Sequence, residues 1–324
     1  MKIPPRYSVS PEMIELLGKI EAIRQYLKTL NISSEIKQKI QRVSLLKSSL
    51  YSAKIEGNPL NLETYKNSHD KIKQLEIDNI LNAINFISKL KSKSVNQSLI
   101  KTVHKKIVNN IHYQAGAFRR EMSAIFNQAG IAIYVCPPPN QIPQLTNRLI
   151  DYTNSKDEKF PLIKAFIAHL IFEKIHPFLD GNGRVGRLMI PLVCQINNYQ
   201  FRPTVSFEEY LNENKNDYYY YLDIGLKNTN DYLIFMLNAF YKQTEKLKKE
   251  VEKEINNKNT IHLPPRQEEI LNIIKDHETV SFDFIKRRFL KIPERTLRYD
   301  LKKLCDKGIV IKIGQTRGSF YKAI

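Results

Sequence analysis

Residues 176 to 187 read His-Pro-Phe-Leu-Asp-Gly-Asn-Gly-Arg-Val-Gly-Arg, and most of them are of types that can act on a phosphate. His176 is the one side chain there that titrates near neutral pH and can take a proton from a hydroxyl. Asp180 offers a hard oxygen suited to Mg2+, an ion commonly held by one or two carboxylates together with substrate phosphates. Asn182 has an amide to donate to a phosphorus-bound oxygen, and the guanidinium groups of Arg184 and Arg187 suit terminal phosphates. The plainer alternative is that Asp180 caps the loop and Asn182 serves only a turn.

The backbone supports the same chemistry. Pro177 removes a donor and ends the preceding helix, while Gly181 and Gly183 permit positive φ and a close approach to the main chain. Helical spacing resumes through Val185, Leu188, Leu192, Val193 and Ile196, with a kink expected at Pro191. Helix, tight loop and helix N-terminus together make an anion site. The Walker spacing G-x-x-x-x-G-K-[ST] and its lysine are absent. Glu173-x-x-His176 is half of a di-iron pattern, but no second E-x-x-H exists, so that reading fails. His169 is expected as a satisfied core histidine or as one that backs the site residues.

The stretch resembles the Fic family signature H-P-F-x-D-G-N-G-R-x-x-R at all nine specified positions of the twelve. The resemblance implies a mainly α chain, a helical Fic domain with a β-hairpin flap. It would transfer AMP from magnesium-bound ATP to a Ser, Thr or Tyr hydroxyl of a protein target, this chain itself included. By that resemblance His176 is the base and Asp180 the magnesium ligand. Gly181, Asn182 and Gly183 hold the α-phosphate, Arg184 and Arg187 engage the β- and γ-phosphates, and pyrophosphate leaves. Gly116-Ala-Phe-Arg119 followed by Ile131 to Pro139 resembles the family's G-x-[FY]-R segment and flap, which would clamp an extended target by β-addition.

Ser52-Ala-Lys-Ile-Glu-Gly-Asn58 fits the family's inhibitory pattern [ST]-x-x-x-E-[GN]. The resemblance implies that Glu56 forms a buried, bidentate pair with Arg187 and keeps the γ-phosphate from seating. Exchange of an arginine-carboxylate pair for an arginine-phosphate pair is near balance, as a switch requires.

Around these residues the sequence is helical. Ile14, Leu17, Ile20 and Ile23 recur at three-residue steps, and Ile36, Ile40 and Val43 form a second face ending near Tyr51. Leu75, Ile80, Ile84 and Ile87 stripe a helix at about 70 to 90, and others are expected at 97 to 110 and 140 to 153. Ile163, Phe166, Ile167, Leu170, Ile171 and Ile175 fit a strongly apolar helix with Pro161 in its first turn. Ile131, Ile133 and Val135 alternate as a strand that Cys136-Pro-Pro-Pro139 ends. Phe178 is expected to face inward and anchor the loop, and aromatics of the Tyr218 to Tyr221 run are expected mainly to pack. From Thr229 one long helix becomes highly charged after Phe240 and reads as a solvated linker.

After His262-Leu-Pro-Pro265 three short helices are expected, at 265 to 275, 281 to 290 and 293 to 304, then a hairpin of 309 to 313 and 319 to 323 around Gly314-Gln-Thr-Arg-Gly318. The segment resembles a winged helix-turn-helix domain whose third helix, with Arg295, Thr296, Arg298, Tyr299 and Lys302 outward, would enter the major groove of DNA. The expected organisation is an N-terminal helical region over 1–95 with the inhibitory helix near 48–57, and a Fic core over 96–228 with the flap near 118–139 and the loop at 176–187. A linker helix over 229–260 and the winged helix over 261–324 follow.

Charge agrees with phosphate partners: 51 Lys and Arg against 33 Asp and Glu leave +18 over 324 residues. Residues 261 to 324 hold 14 basic and 8 acidic residues, or +6, leaving +12 for the other 260. No run reaches the roughly 18 to 20 apolar residues that cross a bilayer, and the first residues carry no signal core or myristoylation glycine. Three dispersed cysteines argue against disulfides and zinc, so the expected compartment is the cytoplasm, with no membrane partner. A homodimer, a DNA-binding regulator in which the loop only senses nucleotide, and a Fic enzyme of another reaction, such as AMP removal by water or use of another phosphate donor, are the other readings.

Overall fold

Helix starts follow local capping rules. Ser10, Ser33, Asp70 and Asn96 each accept a backbone N–H from the first turn of the helix they precede. These helices are α1 (Pro11–Thr29), α2 (Ser34–Ile55), α3 (Lys71–Ser88) and α4 (Gln97–Ile107). Proline occupies the first turns of α5 (Ile142–Asn154) and α6 (Pro161–Ile175), where a missing N–H loses nothing. The computed structural model describes residues 1–30, 32–126, 132–259, 263–314 and 319–324, with no statement on the side chains of Glu35, Phe126 and 256–259.

The chain forms two compact units, Met1–Glu252 and Lys253–Ile324. In the first, α6 is the axis: every residue from Leu162 to Ile175 is buried. α7 (Asn182–Ile196) packs along it and continues through Pro191. α5 lies on α6, α3 and α4 on α7, and α2 on α3 and on α8 (Phe207–Glu213). α9 (Lys215–Ile224) and α10 (Thr229–Asn259) follow. A hairpin of β1 (Ala124–Phe126) and β2 (Ala132–Val135) pairs Ala124 with Val135. Ile131, expected in this strand, lies outside the described residues, and Ile133 and Val135 are exposed.

Three expectations are corrected. α1 buries Met13, Leu16, Ile20 and Leu27 and exposes Ile14. Steps of three alone slip about 60° round a helix each time, so only mixed steps of three and four keep one face. α2 continues to Ile55 because Leu50, Ala53 and Ile55 are buried in its last turns, while Val43 faces solvent. The charged half of α10 is not a solvated helix throughout, since Gln243, Thr244, Leu247 and Val251 are buried.

The second unit contains α11 (Pro265–Asp276), β3 (Thr279–Ser281), α12 (Phe282–Arg288), α13 (Glu294–Asp306), β4 (Val310–Ile313) and β5 (Phe320–Ala323). Its strands form an antiparallel sheet in the order β3-β5-β4. β3 was not expected, being three residues long and too short for a period to emerge. His262 and the loop residues 315–318 lie outside the described residues. Ile270, Ile274, Ile285, Leu297, Leu301 and Leu304 centre a separate core. Asp300 is buried and accepts from Gln267 Nε2 at 3.0 Å and from Arg266, tying α13 to α11. Among the described residues no helix is long and apolar enough to cross a membrane.

Leu301 is fully buried in that core. Leu301→Ala is expected to destabilise the second unit by about 2–5 kcal/mol, read as faster amide hydrogen exchange across α11 to α13. Unchanged protection there would mean that the apolar contacts of Leu301 do not hold this unit together.

Candidate functional site

α6 stops at His176, whose backbone is left-handed (φ 49°, ψ 61°) and whose N–H donates back to Phe172 O at 2.9 Å. A left-handed non-glycine residue is strained by roughly 1–2 kcal/mol, so other contacts must hold the turn. Arg119 supplies them. It is 2% exposed; its Nε donates to His176 O at 2.7 Å, Nη1 to Glu121 O at 2.8 Å and Nη2 to Pro137 O at 2.6 Å. Its backbone N–H donates to Pro177 O at 3.0 Å. One buried guanidinium therefore fastens the end of α6 to the chain on both sides of the β1–β2 hairpin. The sequence places Arg119 in a G-x-[FY]-R segment without indicating this role.

The next clamp is Phe178, fully buried and stacked parallel on His104 with ring centroids 3.7 Å apart. His104 Nδ1 accepts the Gly116 N–H at 2.9 Å, so Nε2 carries the ring proton and donates to Asp180 O at 3.0 Å. Burial pushes the His104 pKa down to about 4, which keeps this tautomer neutral. Asn182 Oδ1 accepts from Phe178 N at 2.9 Å and its Nδ2 donates to Phe178 O at 2.7 Å. The plainer reading of Asn182 thus has a basis, though one amide proton remains for a ligand.

At the other end of the loop, Arg184 Nη2 donates to Asp180 Oδ2 at 2.9 Å. Burial alone would raise the Asp180 pKa; the guanidinium and the Gly181 amide outweigh it and hold the carboxyl below its usual range. Arg184 Nε is buried with no hydrogen-bond partner, a donor left over within a site built of donors. Gly181 is left-handed (φ 78°), and a side chain there would press on Val108.

Glu56 sits as the C-cap residue of α2 and brings its carboxylate onto the first turn of α7. A Cβ at Gly183 would meet Glu56 Oε1 at 2.3 Å, so only glycine admits the carboxylate there. Oε1 accepts from Arg187 Nη2 at 2.9 Å. The pair is neither bidentate nor wholly buried as expected: the Glu56 side chain is part-exposed, and Ser52 takes the other edge of the guanidinium, Nε donating to Ser52 Oγ at 3.0 Å and Nη2 to Ser52 O at 2.8 Å. Burial alone would depress the Arg187 pKa, yet Glu56, Tyr218 and Glu173 hold it above its ordinary value.

His176 Nδ1 lies 3.3 Å from Glu173 O, so in the neutral ring Nδ1 donates and Nε2 is the available base. Burial lowers the His176 pKa, leaving the ring unprotonated at neutral pH. Beneath the site is a buried polar layer whose partners the sequence does not indicate. His169 Nε2 is 3.0 Å from the Tyr218 hydroxyl; His169 Nδ1 and Glu173 Oε1, 3.9 Å apart, have no hydrogen-bond partner. A Cβ at Gly186 would meet Glu173 Oε1 at 1.9 Å, so glycine lets this carboxyl lie against α7. Burial pushes the Glu173 pKa up to about 8 against the pull of Arg187, and the His169 pKa down to about 3.

Residues 94–194 match the model of the Fic/DOC family. The chain is 25% identical over 221 residues to a protein adenylyltransferase Fic of Nematostella vectensis, covering 61% of this chain and 50% of that protein. It is 28% identical over 160 residues to a probable protein adenylyltransferase of Aquifex aeolicus, covering 44% and 48%. The chain thus spans about half the length of these curated relatives. A crystal structure of a Fic family protein from Desulfovibrio desulfuricans G20 has the same fold, with a TM-score of 0.70 over 99% of this chain and 98% of that one at 20% identity.

The buried layer makes stability depend on pH with a definite sign. Between the ordinary carboxyl pKa of 4.5 and about 8, an unfolded chain releases the Glu173 proton that the folded chain keeps, so stability falls as pH rises through that window. His104 and His169 act oppositely, losing stability as pH falls below 6.5. Glu173→Gln is therefore expected to raise Tm relative to the parent by an increment that grows from pH 5 to pH 8. An increment independent of pH would show that Glu173 is ionised in the folded chain.

Proposed function

Because this chain is a Fic-domain protein, we propose that it transfers AMP from ATP to a hydroxyl side chain of a protein, and that Glu56 restrains the transfer. The observation that carries this reading is the meeting of opposed groups at the start of α7: a neutral His176 with Nε2 available, loop amides, Arg184 and Arg187, and one carboxylate, Glu56, lying on Gly183. A helix N-terminus with two arginines favours an anion, and Glu56 occupies it as a stand-in for phosphate.

In the transfer, Nε2 of His176 takes the proton of the target hydroxyl while its oxygen forms a bond to the α-phosphorus. The bond from that phosphorus to the β-phosphate bridging oxygen breaks, and pyrophosphate leaves. The spare amide proton of Asn182 and the amides around Gly181 and Gly183 steady the α-phosphate oxygens, as Arg184 and Arg187 do for the β- and γ-phosphates. Asp180 is part-exposed and only its Oδ2 is bonded to Arg184. That fits a magnesium ion held by one carboxylate and by phosphates, and among the described residues no three His, Cys, Asp or Glu side chains converge to hold a metal otherwise. When bound, the ion would neutralise phosphate charge. Seating of the γ-phosphate on Arg187 requires Glu56 to leave. The exposed face of β2, with Ile133 and Val135, suits an extended target segment added to the hairpin.

The second unit supports a winged-helix reading: Arg295, Arg298, Tyr299 and Lys302 are exposed on α13, and a hairpin follows. This favours DNA as a second, separate partner, with a regulator that senses nucleotide as the corresponding reading of the whole chain.

Two measurements test these proposals. With ATP labelled at the α- or γ-phosphate and cell extract as acceptor, label is expected to pass to protein only from the α position. It should be lost in His176→Ala and rise roughly tenfold or more in Glu56→Gly, the scale of one removed charge-assisted contact; γ-label transfer would sink the reading, and an unchanged Glu56→Gly rate with intact ATP binding would remove the restraint. For the second unit, DNA affinity is expected to fall steeply with salt as counterions are displaced. Affinity indifferent to salt would count against phosphate contacts.

A further inference from the structure

A cavity of about 680 Å³ lies between the N-terminal part of α2, α3, α7 and the segment from Tyr199 to Phe207. None of His176, Asp180, Asn182 or Arg184 lines it, so it is separate from the phosphate site, yet Arg187 forms part of its wall. Its size falls within the range of small-molecule pockets, roughly 300–1,000 Å³.

The chemistry of the walls is divided. Leu27, Ile84, Ile87, Ile190, Phe201 and Phe207 give a buried apolar lining. Lys28, Lys37 and Arg202 line the same cavity and are exposed, and none of the three is ion-paired with a described residue. The carboxyl of Glu208 on the wall accepts a 2.6 Å hydrogen bond from Ser48 Oγ, and burial raises its pKa. Apolar walls together with three exposed cations that have no ion-pair partner among the described residues are complementary to one kind of molecule: a chain that is apolar along its length and negative at one end.

The cavity also adjoins the contacts that seat α2. Gln41 exchanges two hydrogen bonds with Thr204, at 2.7 and 2.9 Å, Ser48 bonds Glu208, and Ser52 and Glu56 hold Arg187. Gln41, Ser48 and Thr204 all line the cavity. The cavity is formed while Glu56 is on Arg187, so an occupant that fits it favours this placement of α2 against α7.

We propose that this cavity binds a free single-chain aliphatic carboxylate, with its carboxylate at Lys28, Lys37 and Arg202 and its chain among the apolar walls, and that its binding steadies α2 and keeps Glu56 on Arg187. The binding site stands by itself; the regulatory part rests on Glu56 as the restraint on AMP transfer.

Decanoate below its micellar concentration serves as the probe. Calorimetric titration of the full chain is expected to give saturable one-to-one binding, weakened roughly tenfold or more in the double variant Lys37→Glu, Arg202→Glu, with decanol binding more weakly than decanoate. Both substitutions are at exposed positions, and an unchanged Tm confirms that the variant is folded. Absence of saturable binding, equal binding of decanol, or an unaffected double variant overturns the site. In the α-labelled ATP assay decanoate is expected to lower transfer by the parent chain and to leave Glu56→Gly unchanged. Decanoate that binds without lowering parental transfer, while Glu56→Gly is active, overturns the regulatory part. A Glu56→Gly variant without transfer overturns the AMP-transfer reading instead, and the calorimetric result still decides the site.

Discussion

The site depends on a reversal of direction between two buried helices. α6 and α7 pack closely on one another, and the loop joining them must expose His176 and a set of amides within very few residues. The chain does this by ending α6 in a left-handed histidine. That conformation is unfavourable alone, and the buried guanidinium of Arg119 offsets it by bonding the carbonyl of the same residue and carbonyls flanking the hairpin. Without the arginine these carbonyls would lose the one partner that ties them together. His176, the loop and the hairpin are thereby positioned by one group.

A second constraint is competition for positive charge. Arg184 and Arg187 are both buried, and each has a carboxylate partner, Asp180 and Glu56. Such a site is stable without a ligand because its cations are compensated, and it can accept a polyphosphate only by exchanging one set of anions for another. The Glu56–Arg187 contact is single and Ser52 bears the rest of the guanidinium, so under the proposed restraint Glu56 would leave without releasing Arg187. The part-exposed Glu56 side chain also costs less to rehydrate than a buried one would.

Behind both arginines the interior is more polar than a helical core requires. Glu173, His169 and Tyr218 are buried together against α7, and two of their polar atoms lack partners. Neutral side chains are the arrangement that burial permits there: a carboxyl held protonated and an imidazole held unprotonated. Gly186 makes room for the carboxyl, as Gly183 does for Glu56. Two glycines on one helix turn thus admit two carboxyl groups to the backbone from different sides of the chain.

Much of this is determined locally and can be read from the sequence. The residues of the 176–187 loop carry their chemistry in their types and spacing, proline and capping residues set helix starts, and the inward anchor Phe178 follows from its place in an exposed loop. The pairing of Glu56 with Arg187 follows from a motif, although its geometry does not. What only the tertiary structure decided is which distant groups share a water-free space. Arg119 finds its carbonyl 57 residues away at His176, and His104 finds Asp180 76 residues away. The proton on Glu173 depends on burial between α6 and α7, and the second edge of Arg187 depends on where α2 lays Ser52. Backbone propensity and side-chain type act over a few residues, whereas desolvation and hydrogen-bond satisfaction are properties of the packed whole, so the sequence specifies the reacting groups and the fold specifies their charge state and aim.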